Sequence, residues 1–209
     1  MSLTLDRPLL AVDPANRLRR TRRTETMRAF VRETRLHPRQ LVAPMFVQPG
    51  REGRDPVGSM PGVMRVTPDE ALKDARSLAA LGIGGVILFG LPADKDAIGT
   101  GGWIAGGIVQ ETLRRFRDAG LDLVLIADTC LCEYTDHGHC GPLLADGRVD
   151  NDATIELYAR AAASQAEAGA AVLARRRGVG LREGLEQPAH ACRRQADAGL
   201  DLVGGGVHV

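Results

Sequence analysis

Three cysteines fall within eleven positions of this 209-residue chain, in the run Asp128-Thr129-Cys130-Leu131-Cys132-Glu133-Tyr134-Thr135-Asp136-His137-Gly138-His139-Cys140-Gly141. Soft thiolates flanked by imidazoles are the donors zinc prefers, and a C-x-C pair lets one loop deliver two ligands to one ion. Three protein ligands leave a fourth position for water or substrate, which is the count of a catalytic zinc rather than a structural one. By spacing alone, C-x-C is a weaker signature than paired C-x-x-C motifs, so a redox or incidental role for the cysteines stays open. His139 is a fourth ligand or a group beside the ligands, and the supporting position is the expectation; His137 reads as a solvated loop histidine. Asp128 either orients a substrate amine or a ligand, or caps the loop. Cys192 stands apart from the cluster.

The elements that position these residues follow from the hydrophobic pattern. The apolar run 41–47, closed by Pro49-Gly50, reads as a buried strand. Thr67-Pro68-Asp69-Glu70 combines a capping residue, a proline at the first helical position and a glutamate three residues on, which predicts a capping box and a helix over 68–82. Residues 85–90 read as a second strand, 108–119 as an amphipathic helix ending at Gly120, and 123–128 as a third strand running directly into Asp128 and the cysteines. Asn151-Asp152 offers an N-cap for a helix to Gly169, and 170–174 is a fourth apolar run. Four near-continuous apolar strands alternating with three helices predict a parallel sheet covered by helices, doubly wound or closed as a barrel. No G-x-G-x-x-G or P-loop lysine motif supports a nucleotide-binding sheet. Functional residues just beyond a strand's C-terminal end favour the barrel.

Composition narrows the function classes. With 44% hydrophobic and 25% charged residues and a net charge of +1, the chain reads as an ordinary globular domain with no field directed at nucleic acid or membrane. No apolar run approaches the ~18 residues needed to span a bilayer, and no signal pattern opens the chain, so a cytoplasmic protein is expected. Four cysteines are too sparse for a disulfide scaffold. Residues 1–40 hold ten arginines against four acids and read as a basic N-terminal arm. The whole chain has two lysines, Lys73 and Lys95, against twenty-five arginines.

From about residue 17 to 174 the sequence resembles porphobilinogen synthase, also called delta-aminolevulinic acid dehydratase. The likeness is carried by Arg32-Glu33-Thr34, the run 41–47, Ser59-Met60-Pro61-Gly62-Val63, Leu88-Phe89-Gly90, Lys95-Asp96, the run 128–141 and Val149-Asp150-Asn151-Asp152-Ala153-Thr154. The resemblance implies a TIM (β/α)8-barrel fold, of which 41–174 would be the first four strands and three helices. It implies an activity condensing two 5-aminolevulinate molecules to porphobilinogen in tetrapyrrole and haem biosynthesis, a lyase reaction. In the family's zinc-dependent branch the metal is held by cysteines at the spacings of Cys130, Cys132 and Cys140. Family members also bind magnesium, assemble as homo-octamers and wrap the N-terminal arm around a neighbouring subunit.

The family mechanism holds one substrate as a Schiff base on a lysine of a later barrel strand, while zinc polarises the other. No lysine follows Lys95 here, and neither Lys73 nor Lys95 matches a Schiff-base position. After Ala174 the expected Pro-Ser-Asp-Met-Met segment is replaced by Arg175-Arg176-Arg177, and 175–209 reads as a divergent, frameshifted tail lacking the magnesium ligand. The expectation is therefore an incomplete barrel of the synthase family, without catalytic residues retained beyond a supporting Asp128, and inactive in this form. The alternative is a non-catalytic zinc-binding or subunit-interaction fragment.

Overall fold

The computed structural model describes residues 19–50 and 53–174. The tail 175–209, Cys192 and the first eighteen residues of the arm lie outside the described residues. The chain divides into two units, 1–37 and 38–209.

In the first unit, a 3-10 turn over Arg19–Arg22 precedes a six-residue helix, α1 (Glu25–Phe30). Thr24 caps α1, its hydroxyl accepting from the Met27 amide at 3.1 Å. Phe30 and Leu36 are 82% and 83% exposed, so this segment presents apolar side chains among its arginines.

The second unit is built on a six-stranded sheet in the order β2-β3-β1-β4-β5-β6. Strands β1 (Val42–Val47), β4 (Gly85–Gly90), β5 (Val124–Asp128) and β6 (Val172–Ala174) are mutually parallel. They are joined by α2 (Pro68–Ala80), α3 (Ile108–Asp118) and α4 (Asn151–Ala168). The alternating side chains Met45 and Val47, Val86 and Leu88, and Leu125 and Ala127 form one buried face. They pack with Ala71 and Ala75 of α2 and with Val109, Leu113 and Phe116 of α3. The opposite face carries the stacked rings of Phe46 and Phe89, centroids 5.2 Å apart, with Val42 and Val124 exposed. Among the described residues the sheet is open.

Several local expectations are corrected. Strands β2 (Arg54–Pro56) and β3 (Met64–Val66) form an antiparallel hairpin, and β3 adds in parallel to the end of β1 through Phe46↔Arg65 and Val47↔Val66. Three-residue strands, one ending in a proline, are too short for hydrophobic alternation to betray them in a sequence. Thr67 does precede α2, with Pro68 in the first turn, yet its hydroxyl makes no capping bond and is buried without a partner. The capping box is absent because Glu70 turns to Arg54 and Lys73 instead. Helix α4 is capped by Asp150, one residue earlier than expected, its carboxylate accepting from the Ala153 amide at 3.1 Å. It ends at Gly169, whose φ of +116° suits glycine.

Candidate metal centre

Strand β5 ends at Asp128, and the loop that follows folds back against α4 and the loop after β4. Two buried apolar residues anchor it: Leu131 packs with Leu157 and Tyr158 of α4 and with Trp103, and Tyr134 lies 1% exposed beneath the end of β4. Gly90 must be glycine, since a Cβ there would run into the Tyr134 hydroxyl and lie 2.8 Å from Val109. Cross-strand bonds lace the two loops together. The Asp96 amide donates to the Tyr134 carbonyl at 3.3 Å and the Asp136 amide to the Asp96 carbonyl at 3.1 Å. The Asp96 carboxylate in turn accepts from the Ile98 and Thr100 amides, both at 3.0 Å.

Held this way, the loop brings its three cysteines together. Cys130 and Cys132 are half-buried and Cys140 is exposed, and their sulfurs all lie within 4.8 Å of one another. The Sγ of Cys130 is 3.1 Å from that of Cys132 and 3.5 Å from that of Cys140. Tetrahedral zinc with bonds of about 2.3 Å separates its sulfurs by roughly 3.8 Å, so the two pairs made by Cys130 need to spread by less than about 1 Å to surround an ion.

One face of α4 lies under this loop. Thr154, Tyr158, Ala161, Gln165 and Ala168 are buried at helical spacing. A Cβ on Gly141, next to Cys140, would overlap Thr154, so the chain here lies directly on the helix. The Tyr158 hydroxyl donates to the Cys130 sulfur at 3.9 Å. Gln165, fully buried, accepts from the Thr129 hydroxyl at 2.8 Å and donates to the Asp128 carbonyl at 3.0 Å.

The electrostatics favour a cation. Hydrogen bonding from Cys132 brings the Cys130 thiol down to about 5 against its burial, with Cys140 and Tyr158 adding to the effect. The same contact with Cys130, and then burial, push Cys132 up, while burial and then Cys130 raise Cys140. The first thiol proton is thus easily lost and the next two are held. Burial, and then Cys130, raise Asp128 to about 7; burial, followed by Asp128 and Cys130, raises Glu133 to about 8. Groups that give up further protons reluctantly beside one thiolate give them up readily when a divalent ion supplies the opposing charge, and the donor set fits one.

The histidines lie apart from this donor set. His139 is exposed; its amide donates to His137 Nδ1 at 3.1 Å, and its carbonyl accepts from the Thr135 hydroxyl at 2.7 Å. His137 faces the Ala97 carbonyl, with its Nε2 at 3.2 Å. Lys73 is on the outer surface of α2, paired with Glu70, and Lys95 is exposed in the loop after β4, where its charge acts on Glu133. Sequence reasoning missed Glu133, whose carboxylate accepts from the Gly90 amide at 3.0 Å, as well as Tyr134, Tyr158 and Gln165. For Gln165 a signal existed, a long polar side chain on the buried stripe of α4; Glu133 and Tyr134 offered none.

Residues 15–179 match the family model described as delta-aminolevulinic acid dehydratase. The chain is 48% identical over 159 residues to the delta-aminolevulinic acid dehydratase of Bacillus subtilis, covering 76% of this chain and 49% of that protein. With the enzyme of the same name from Mycobacterium tuberculosis it shares 49% identity over 163 residues, 77% of this chain and 50% of the relative. A crystal structure of the Toxoplasma gondii delta-aminolevulinic acid dehydratase (porphobilinogen synthase), in complex with the reaction product porphobilinogen, superposes with a TM-score of 0.74 at 28% identity. The match covers 87% of this chain and 51% of that one. The chain spans about half the length of the relatives it matches.

Proposed function

The chain belongs to the delta-aminolevulinic acid dehydratase family, and from that premise we propose that it carries the zinc-holding half of a porphobilinogen synthase site, where two 5-aminolevulinate molecules condense to porphobilinogen. The observation that carries this reading is the convergence of Cys130, Cys132 and Cys140 at the C-terminal end of β5. In a barrel of this family that end is where substrates are handled. Zinc is the ion an all-thiolate set selects, and when bound it supplies Lewis acidity toward a substrate carbonyl.

The chain's own residues would handle position and protons. Asp128 and Glu133 sit beside the thiols with carboxyls raised to about 7 and about 8, which suits groups that take up and release protons near neutrality. Asp128, at the strand end, would orient a substrate amine. His139 would support the thiol loop from outside the ligand set. The exposed apolar and arginine side chains of the first unit would serve a homo-oligomeric assembly through the arm, in the cytoplasm.

A second reading, a zinc-binding or subunit-interaction fragment without turnover, is favoured by the lysines. Lys73 is engaged by Glu70 on the outer surface, and Lys95 is exposed in the loop after β4. Two measurements on the full chain test the readings, the second separating them. Zinc should bind one to one and be lost on replacing the cysteines; absence of binding overturns both readings. Borohydride reduction in the presence of 5-aminolevulinate should leave no adduct on this chain, and a trapped lysine would overturn the fragment reading.

A further inference from the structure

Helix α4 touches the thiol loop at three successive levels: Thr154 against Gly141, Tyr158 against Cys130, and Gln165 against Asp128 and Thr129. Gln165 is fully buried and hydrogen-bonded through both ends of its amide. It uses its oxygen and its nitrogen on two consecutive residues, the last of β5 and the first of the loop, immediately before Cys130. The Thr129 amide also donates to the Ala174 carbonyl at 2.7 Å, which ties that residue to β6 as well. A chain leaving a strand can swing about the first few dihedrals beyond its last ladder bond. Here those dihedrals are pinned by the Gln165 side chain together with the backbone bond to β6. The direction in which Cys130 and Cys132 leave the sheet is therefore set by α4 and β6 rather than by the loop alone. Tyr158, two turns earlier on the same face, acts on the sulfur itself by donating to it.

We propose that Gln165 and Tyr158 are positioning residues of the metal centre, Gln165 fixing the geometry of the thiol set through Asp128 and Thr129, and Tyr158 drawing electron density from the Cys130 sulfur. This rests on the reading that the three thiols bind a metal. Groups that orient ligands without binding the ion typically account for 10–100-fold in metal affinity, and a hydrogen bond to a thiolate stabilises the sulfur lone pairs from which charge-transfer absorption begins.

The test uses the full chain with zinc and, separately, with cobalt as a spectroscopic probe. In Gln165→Leu, chelator competition should show zinc affinity falling by roughly 10–100-fold. Thr129→Val, which removes only the hydroxyl of that pair and keeps the shape of the side chain, should move affinity the same way by less, and covers the case in which Gln165→Leu does not fold. Tyr158→Phe, with the packing retained, should shift the thiolate-to-cobalt band to longer wavelength, a change that a purely structural tyrosine would not produce. Zinc affinity unchanged within about twofold in both folded Gln165→Leu and Thr129→Val would overturn the role of Gln165, and an unshifted band would overturn that of Tyr158. Either result leaves the metal reading standing if the parent chain binds zinc one to one. A parent chain that binds none overturns the metal reading and this inference together.

Discussion

Gly90 and Tyr134 meet where β4 runs out against the thiol loop, and the contact is tight enough to make a sharp prediction. A methyl at position 90 would strike the Tyr134 hydroxyl and sit 2.8 Å from Val109, both in buried surroundings. Gly90→Ala should therefore destabilise the protein by about 1–3 kcal/mol, as overpacking of a closed core does. The Tyr134 hydroxyl is buried without a hydrogen-bond partner, so Tyr134→Phe should be neutral or stabilising on its own. The double variant should recover part of the loss, measured by urea unfolding of all three proteins; equal losses in Gly90→Ala with and without the hydroxyl would refute the contact. The thiols allow a second prediction at this scale. Since each must shed a proton to bind a metal, zinc affinity should rise with pH, which competition titrations between pH 6 and 8 would read directly. The cysteines could be picked out of the sequence because thiol donors at close spacing are rare and chemically specific. Glu133 and Tyr134 could not be, because what makes them notable is burial against Gly90 of another strand, a property no local pattern encodes.

At the level of elements, the hairpin β2–β3 is tied to α2 by charge. Arg54 on β2 donates to Glu70 at 2.7 Å and to Asp74 at 2.5 Å on α2, and Lys73 adds a second contact to Glu70. Lys73 and then Arg54 hold the Glu70 carboxyl below its ordinary value. A carboxyl depressed in the folded state contributes stability above its unfolded pKa of about 4.3, and that contribution is lost as pH falls through the folded value. Arg54→Ala should accordingly lower the melting temperature at pH 7, with the gap to the parent closing as both are acidified below pH ~4. A gap independent of pH would mean the arginine acts by packing rather than by charge. The four parallel strands and three covering helices were legible because strands with apolar side chains on both faces read as continuous apolar runs, and amphipathic helices as periodic ones. The hairpin was not, because its strands are only three residues long, β2 is exposed throughout, and the pair is held by side-chain ion pairs to α2 and by two residues of register to β1. The capping box failed for a related reason, since Glu70 had a better partner in tertiary space than the helix's own N-terminus.

The open face of the sheet sets the last question, because it decides how the half of the family fold that this chain spans behaves as a molecule. The helix-covered face and the opposite face both carry phenylalanine, and the two should respond differently to truncation. Phe116 of α3 is fully buried in the helix-side core, so Phe116→Ala should cost about 3–5 kcal/mol. Phe46 and Phe89 stack on each other across β1 and β4 but are only partly buried among the described residues, beside the exposed Val42 and Val124. Phe46→Ala and Phe89→Ala should therefore each cost well under the Phe116 value in urea unfolding. They should also reduce binding of a hydrophobic dye, since the apolar area they remove faces solvent. If instead either costs as much as Phe116→Ala and dye binding is absent in the parent chain, then this face is covered in solution. The sheet would then be closed by contacts beyond those of residues 38–174. The stacked pair thus reports on whether this face is covered in solution, independently of any activity.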